Sequence, residues 1–335
     1  MKNIGLVGLG FIGKTHYQAY QQLTNCKVVA ICTRKEVHDQ EITSTFKGSF
    51  VSDYEELLKN KEIDIIDICL PTFLHEEYIV KAARAGKHII CEKPLTLTMD
   101  SAHRIIEEVT THNVKLFVGH VLRFWPEYQA IKAYSESEQL KDIDIVHAKR
   151  LGQTPTWSDW FQYPEKGGSA LYDLHIHDID FLTYLLGEVE SVYAVGNQNK
   201  YGAWDHVMTT LTFTNKSKAF VEASQRMSNG FPFTMSLRAQ ASQGTLDFQI
   251  AAGENIENIE ENNNQLLYYS NGQSSAIEYE KVDAFQNELM YFVNCIEKNV
   301  ENTVIPLEDV LYTLQVLKAI ERSLETGNIV HLYEN

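Results

Sequence analysis

Apolar residues in the first 120 positions fall into short, nearly continuous runs at Asn3–Val7, Lys27–Cys32, Ile63–Leu70, His88–Cys91 and Lys115–Val118. Between them, at about 12–22, 53–60, 74–85 and 98–112, apolar positions recur with a helical period. Short runs apolar on both faces, alternating with helices, predict a parallel, doubly wound α/β sheet. Asp53 ahead of Glu56 predicts a helix start, and Gly86 after Ala85 predicts a stop.

Past residue 122 the pattern changes. Helices are expected at 126–139, 169–186, 282–298 and 307–326. Alternating segments such as HVMTTLTF, KAFVEASQ, FTMSLRAQ and LLYYS, broken by Asn and Gly, predict a large, mainly antiparallel open sheet with one packed face. The acidic, Asn-rich stretch 253–265 reads as an exposed hairpin or loop. The expected organisation is an α/β domain over 1–121 and an α+β domain over 122–335, since 335 residues exceed one typical core.

Net charge is 29 − 45 = −16, which disfavours nucleic acid as a partner. No apolar stretch of membrane-spanning length occurs, and the N-terminus lacks the pattern of a signal peptide. Cysteines 26, 32, 69, 91 and 295 include no CxxC pair, so a reducing cytoplasm is the expected compartment.

The first run leads directly into GLGFIG, with Gly8, Gly10, Phe11, Ile12 and Gly13 ahead of an amphipathic helix. Strand, glycine loop and helix in that order predict a dinucleotide site, with phosphate charge held at the helix N-terminus. At the position that selects the ribose, NAD sites usually carry an acid. Here Thr33, Arg34 and Lys35 follow the second strand, so NADP(H) is favoured and NAD(H) is possible.

Glu92, Lys93 and Pro94 follow the His88–Cys91 run, at the sheet end where ligands lie in such folds. A lysine there can hydrogen-bond a carbonyl or hydroxyl oxygen and stabilise a developing alkoxide. The stretch GGSALYDLHIHDIDFLTYLLG, 167–187, raises two chemistries. On a helix, His175 and His177 point about 160° apart, which disfavours a shared metal, and no metal is expected. Asp173, His177, Asp180 and Tyr184 share a stripe about 60° wide. His177 can exchange a proton near neutral pH, with Asp173 one turn away to orient it.

Taken together, GLGFIG, Glu-Lys-Pro and the Gly-Gly-x-x-x-x-Asp-x-x-x-His segment resemble the glucose–fructose oxidoreductase/inositol dehydrogenase family (Gfo/Idh/MocA) over essentially the whole chain. CLPTFLHEEY (69–78) resembles the family's nicotinamide-side loop, and GHVLRFWPEY (119–128) its interdomain segment. The resemblance implies catalytic Lys93, Asp173 and His177. It places Leu70, Pro71, Thr72, His75, Glu92 and Lys93 beside the cofactor. Lys93, Arg123, Asp180 and His177 would meet substrate, with Arg123 lining a pocket between the domains.

The implied activity is hydride exchange between a nicotinamide cofactor and a secondary alcohol or ketone of a sugar, polyol or cyclitol. Alternatives are an NADP(H)-sensing regulator without turnover, or a family branch with transient redox such as glycoside cleavage. A homodimer or homotetramer is also implied. Trp157, Trp160, Phe161 and Tyr163 are candidate walls of a sugar site, or core or subunit contacts. His16 reads as a packing or capping residue; His120 and His175 stand where the family varies and read either as substrate hydrogen-bonders or as satisfied structural histidines, the commoner case.

Overall fold

The computed structural model describes residues 1–34, 39–156, 158–252 and 265–333. Contacts divide the chain into one unit of 1–124 with 282–310, and another of 125–281 with 311–335.

In the first unit, β1 (Lys2–Val7), β2 (Cys26–Cys32), β3 (Ser49–Val51), β4 (Ile65–Ile68), β5 (His88–Glu92) and β6 (Leu116–Gly119) form a parallel sheet. Its order is β3-β2-β1-β4-β5-β6. Ile4, Leu6, Ile31, Ile66, Ile68, Ile89 and Val118 are buried in it, as expected of strands covered on both faces. The connections carry α1 (Phe11–Gln21), α2 (Gln40–Thr45), α3 (Tyr54–Lys59), α4 (His75–Arg84) and α5 (Met99–Thr111). Asp53 caps α3 by accepting from the Glu55 N–H, and the Gly86 N–H donates to Ala83 O after α4. The order reverses between β1 and β4, so the loops after these two strands face one crevice.

The second unit holds α6 (Pro126–Ser135), β7 (Ile143–Gln153), α7 (Ser169–Asp173), α8 (His175–Leu186) and the strands β8 (Val189–Gln198), β9 (Trp204–Phe213), β10 (Lys218–Met227), β11 (Thr234–Ala241), β12 (Gly244–Ala251), β13 (Leu267–Ser270) and β14 (Gln273–Ala276). After them come α9 (Ala284–Lys298), α10 (Leu307–Thr326) and β15 (Val330–His331). Among the described residues the sheet order is β14-β13-β12-β11-β7-β10-β9-β8-β15, antiparallel except where β7 runs parallel to β10. Residues 253–264, expected as an exposed hairpin or loop, lie outside the described residues.

Two expectations are corrected. The single cut at 121/122 gives way because α9 packs on α1 and on the turn 121–124, within the first unit. Phe292 of α9 sits 5.0 Å from Phe117 and 5.9 Å from Phe124, ring centre to ring centre. The helix expected over 169–186 is two helices. Leu174 breaks it, with φ −103° and ψ −50°, ending α7 and starting α8.

Helix α8 is anchored by groups that the dense His/Asp cluster had left open. Arg150 on β7 makes two 3.0 Å bonds to the buried Asp178 carboxylate. His175 is buried, with Nε2 2.9 Å from Thr209 Oγ1 on β9. Burial pushes its pKa down to about 3. The unfolded chain takes up this proton near pH 6.5, whereas the folded chain refuses it until far lower pH, so stability falls as pH falls below about 6.5. At pH 5 the loss from this one group is about 2 kcal/mol. His175→Gln, which keeps a polar group near Nε2, is expected to remove that part of the acid slope in urea unfolding measured at pH 7 and pH 5. Parallel slopes for the two proteins would refute the assignment.

Candidate active site

The glycine loop joins β1 to α1 at the crevice. Gly8 has φ +93°, and a Cβ there would lie 2.3 Å from Cys69 O at the end of β4. A Cβ on Gly13 would lie 2.1 Å from Gly8 O. At Gly10, which caps α1, a Cβ would meet nothing within 4 Å. Two glycines therefore close the turn, and the third leaves open space at a helix N-terminus. This is the cradle a pyrophosphate requires. Phe11 and Ile12 form the first turn of α1 above it.

Thr33 and Arg34 follow β2, where the Cys32 carbonyl accepts from the Gly8 N–H at 3.0 Å. Thr33 is half-buried and Arg34 exposed, with no carboxylate at either position. Lys35 lies outside the described residues. Leu70, Pro71 and Thr72 follow β4 beside the loop.

Lys93 is half-buried just past β5, joined to Pro94 by a cis peptide bond. The residues around it differ from expectation in what they face. His75 is fully buried, with Nδ1 2.9 Å from Pro94 O and Nε2 2.8 Å from Leu70 O. Burial lowers its pKa, so the ring is neutral and its single N–H donates to one of these two carbonyls, with the other nitrogen facing the second. Glu92 is buried, and its Oε1 lies 3.1 Å from His16 Nε2. Arg123, expected to line a pocket, is buried and donates through Nη1 to Asp309 Oδ2 at 2.6 Å and Val304 O at 2.7 Å.

His16, Asp67 and Cys69 bring metal-ligand atoms within 4.8 Å of one another. Both His16 nitrogens, however, face carboxylates: Nδ1 is 2.9 Å from Asp67 Oδ2, which also accepts from Tyr20 OH at 2.9 Å. A ring hydrogen-bonded at both nitrogens offers no lone pair to a cation. Burial pushes the Cys69 thiol up to about 12, so it is a neutral thiol at ordinary pH.

In the second unit, Asp173 ends α7 and His177 lies in the first turn of α8, so their four-residue spacing crosses the Leu174 break. Both are half-buried. Asp180 is fully buried, and its Oδ1 accepts from Thr313 Oγ1 at 3.2 Å. That placement keeps its carboxylate inside the unit and away from the surface, where it had been expected to meet substrate hydroxyls. Tyr184 is half-buried beneath the Lys132 ammonium, 4.7 Å from the ring centre.

A residue missed in the sequence completes this group. Gln225 on β10 is buried, donates from Nε2 to Asp173 Oδ2 at 2.7 Å, and accepts from Ser169 Oγ at 3.0 Å. Only its neutral amide, amid the alternation of KAFVEASQ, marked the position, which is no signal of a site. Gln225→Leu removes the donor from Asp173 and orphans the Ser169 hydroxyl. Turnover is expected to fall about 10- to 100-fold with cofactor affinity unchanged. Unchanged turnover in steady-state kinetics would show that Gln225 does not hold Asp173 for the reaction.

Of the aromatic candidates, Trp160 and Phe161 stack with centres 3.8 Å apart, and Tyr163 lies 4.5 Å from Tyr201. Gly167 makes room for the first pair, since a Cβ there would sit 2.7 Å from the Trp160 ring. Trp157 lies outside the described residues.

Comparison with known proteins gives a family model for each of two stretches of the chain. A family model described as the oxidoreductase family with an NAD-binding Rossmann fold matches residues 2–120. The GFO/IDH/MocA C-terminal domain model matches residues 128–247. The chain is 26% identical to myo-inositol 2-dehydrogenase of Thermotoga maritima, over 99% of this chain and 98% of that protein. It is 28% identical to levoglucosan dehydrogenase of Pseudarthrobacter phenanthrenivorans, over 76% and 75%. The crystal structure of the WlbA dehydrogenase from Bordetella pertussis, in complex with NADH and UDP-GlcNAcA, shares the fold. It has a TM-score of 0.81 and 21% identity over 100% of this chain and 98% of that one.

Proposed function

Because the chain belongs to the Gfo/Idh/MocA family of oxidoreductases, we propose that its two sets of polar residues interconvert a secondary alcohol and the matching ketone of a sugar, polyol or cyclitol. The relatives named for myo-inositol and levoglucosan support that substrate class. The single observation that carries the reading is the glycine cradle: two glycines that admit no side chain, and a third facing open space at the α1 N-terminus. When bound there, a nicotinamide dinucleotide supplies or accepts the hydride.

The remaining chemistry belongs to the chain. The Lys93 ammonium hydrogen-bonds the substrate oxygen and stabilises negative charge on it. His177 takes the hydroxyl proton during oxidation and returns it during reduction, while Asp173 orients the ring and offsets its positive charge. Gln225 fixes one oxygen of Asp173.

NADP(H) is the favoured cofactor, supported by Thr33 and Arg34 in place of an acid, with NAD(H) as the lesser alternative. All five cysteines are free and buried, which suits a reducing cytoplasm. No helix among the described residues is long and apolar enough to cross a membrane.

A homo-oligomer is supported by the outer face of the large sheet. Val195 and Met208, paired across β8 and β9, are 49% and 50% exposed, and Phe220 and Tyr193 lie beside them. Phe220→Asp is expected to yield monomers in analytical ultracentrifugation; an unchanged species would place any subunit contact elsewhere.

The reading is tested by supplying oxidised NADP or NAD with a panel of sugars, polyols and cyclitols. Growth of reduced-nicotinamide absorbance with at least one member supports it. Tight cofactor binding with no turnover across the panel would favour a sensor of the cofactor's redox state.

A further inference from the structure

Lys93 is pinned through its backbone on both sides by buried imidazoles. Helix α1, whose N-terminus forms the cradle, carries His16 in its second turn, only 1% exposed. Its Nε2 faces Glu92 Oε1 at 3.1 Å, and Glu92 Oε2 accepts from the Lys93 N–H at 3.2 Å. On the other side, His75 holds the Pro94 carbonyl at 2.9 Å. Gly119 on β6 leaves the room Glu92 needs, since a Cβ there would lie 2.9 Å from Glu92 Oε1.

We infer that His16, acting through Glu92, is a positioning residue for Lys93, tying the helix of the glycine cradle to the turn that carries the lysine. The inference rests on the reading of Lys93 as the residue that meets the substrate oxygen. The chemistry favours an imidazole at this point. Asp67 and Glu92 lie on neighbouring strands, at the ends of β4 and β5, and a ring with N–H groups on opposite edges can donate to both. Burial alone would lower the His16 pKa, but the hydrogen-bonded Asp67 carboxylate beside it favours the charged ring, and the pKa lies well above the ordinary value. Burial opposes the Glu92 charge, yet His16 and Lys93 hold its carboxyl below the usual carboxylate range. A buried cation between two buried anions is a stiff link, because breaking either contact strands a charge away from water. Tyr20 OH on Asp67, and the Phe285 ring 6.0 Å from that of His16, close the surroundings.

Such a link predicts that Lys93 senses changes at a residue in the second turn of a different element. The full-length protein, with NADPH present, is reductively methylated with carbon-13 formaldehyde. The Lys93 signal is identified by its loss in Lys93→Arg, and the same spectrum is recorded for His16→Gln and Glu92→Gln. Glutamine at 16 lacks the charge and the two donor nitrogens that face the two carboxylates, and glutamine at 92 keeps the side-chain shape.

The Lys93 resonance is expected to shift or broaden in both variants. Turnover should fall about 10- to 100-fold, with cofactor dissociation constants within about threefold of the unsubstituted protein. If His16→Gln does not fold, Glu92→Gln decides alone. A Lys93 resonance and turnover that stay put in the folded variants would overturn the inference. The spectrum needs no substrate, so absence of turnover in the unsubstituted protein would fault the dehydrogenase reading without touching this result.

Discussion

Lys93→Met is expected to lower turnover by about 10^2- to 10^4-fold while leaving cofactor affinity within about threefold. Methionine keeps the unbranched stem of lysine and removes only the charged donor. The contacts that shape the turn use backbone atoms: the Lys93 N–H on Glu92, and the Pro94 carbonyl on His75. Those bonds survive the substitution, so the protein should fold and bind dinucleotide normally. In the role proposed for Lys93, what is lost is the cation that would stabilise charge on the substrate oxygen, an interaction stronger in the transition state than in the ground state. Such a loss appears in kcat more than in KM. Steady-state kinetics beside a fluorescence titration of reduced cofactor separate the two; turnover near that of the parent would remove Lys93 from the reaction.

The second large effect is a contrast within the glycine loop. Gly10→Val places its side chain in open space, on a backbone with φ −75° that any L residue adopts. Its stability in urea should match that of the parent, yet dinucleotide affinity should fall about 100-fold or more, because the branched side chain fills the approach to the helix N-terminus. Gly13→Ala is the reverse case. Its Cβ would lie 2.1 Å from Gly8 O, so backbone must move, and the fold should lose about 1–3 kcal/mol or more. A Gly10→Val protein that binds cofactor as tightly as the parent would show that the open space is not the phosphate site.

The sequence made some of this legible and hid the rest for physical reasons. Strands buried on both faces announce themselves as short apolar runs, so β1, β2, β4, β5 and β6 were predictable. The three-residue β3 carries too little periodicity to read. In β7, alternation breaks twice. Asp144 and Ile145 are both exposed beside a register irregularity, and Arg150 points inward to Asp178. The glycine loop was legible because its demands on the backbone are local.

Partners far apart in sequence were not legible. His16 and Glu92 stand 76 residues apart and meet only because β1, β4 and β5 lie side by side. For the same reason His75, Arg123 and Asp180 were expected to face ligands, yet each is buried on a partner supplied by another segment. Periodicity ranks a side chain by its face on one element and is blind to the opposite wall. Gln225 shows the converse, a residue without acid–base chemistry of its own that holds the Asp173 carboxylate.

The most direct test follows the hydrogen itself. The protein is incubated with reduced nicotinamide dinucleotide carrying deuterium at the transferable position, together with a panel of keto-sugars and keto-cyclitols, and the alcohol products are analysed by mass spectrometry and NMR. One deuterium on the new carbinol carbon of a product, formed by the parent and suppressed in Lys93→Met, is the predicted result. Products without deuterium, or no product from any member while the labelled cofactor binds, would contradict the assignment of this chain as a sugar or polyol dehydrogenase.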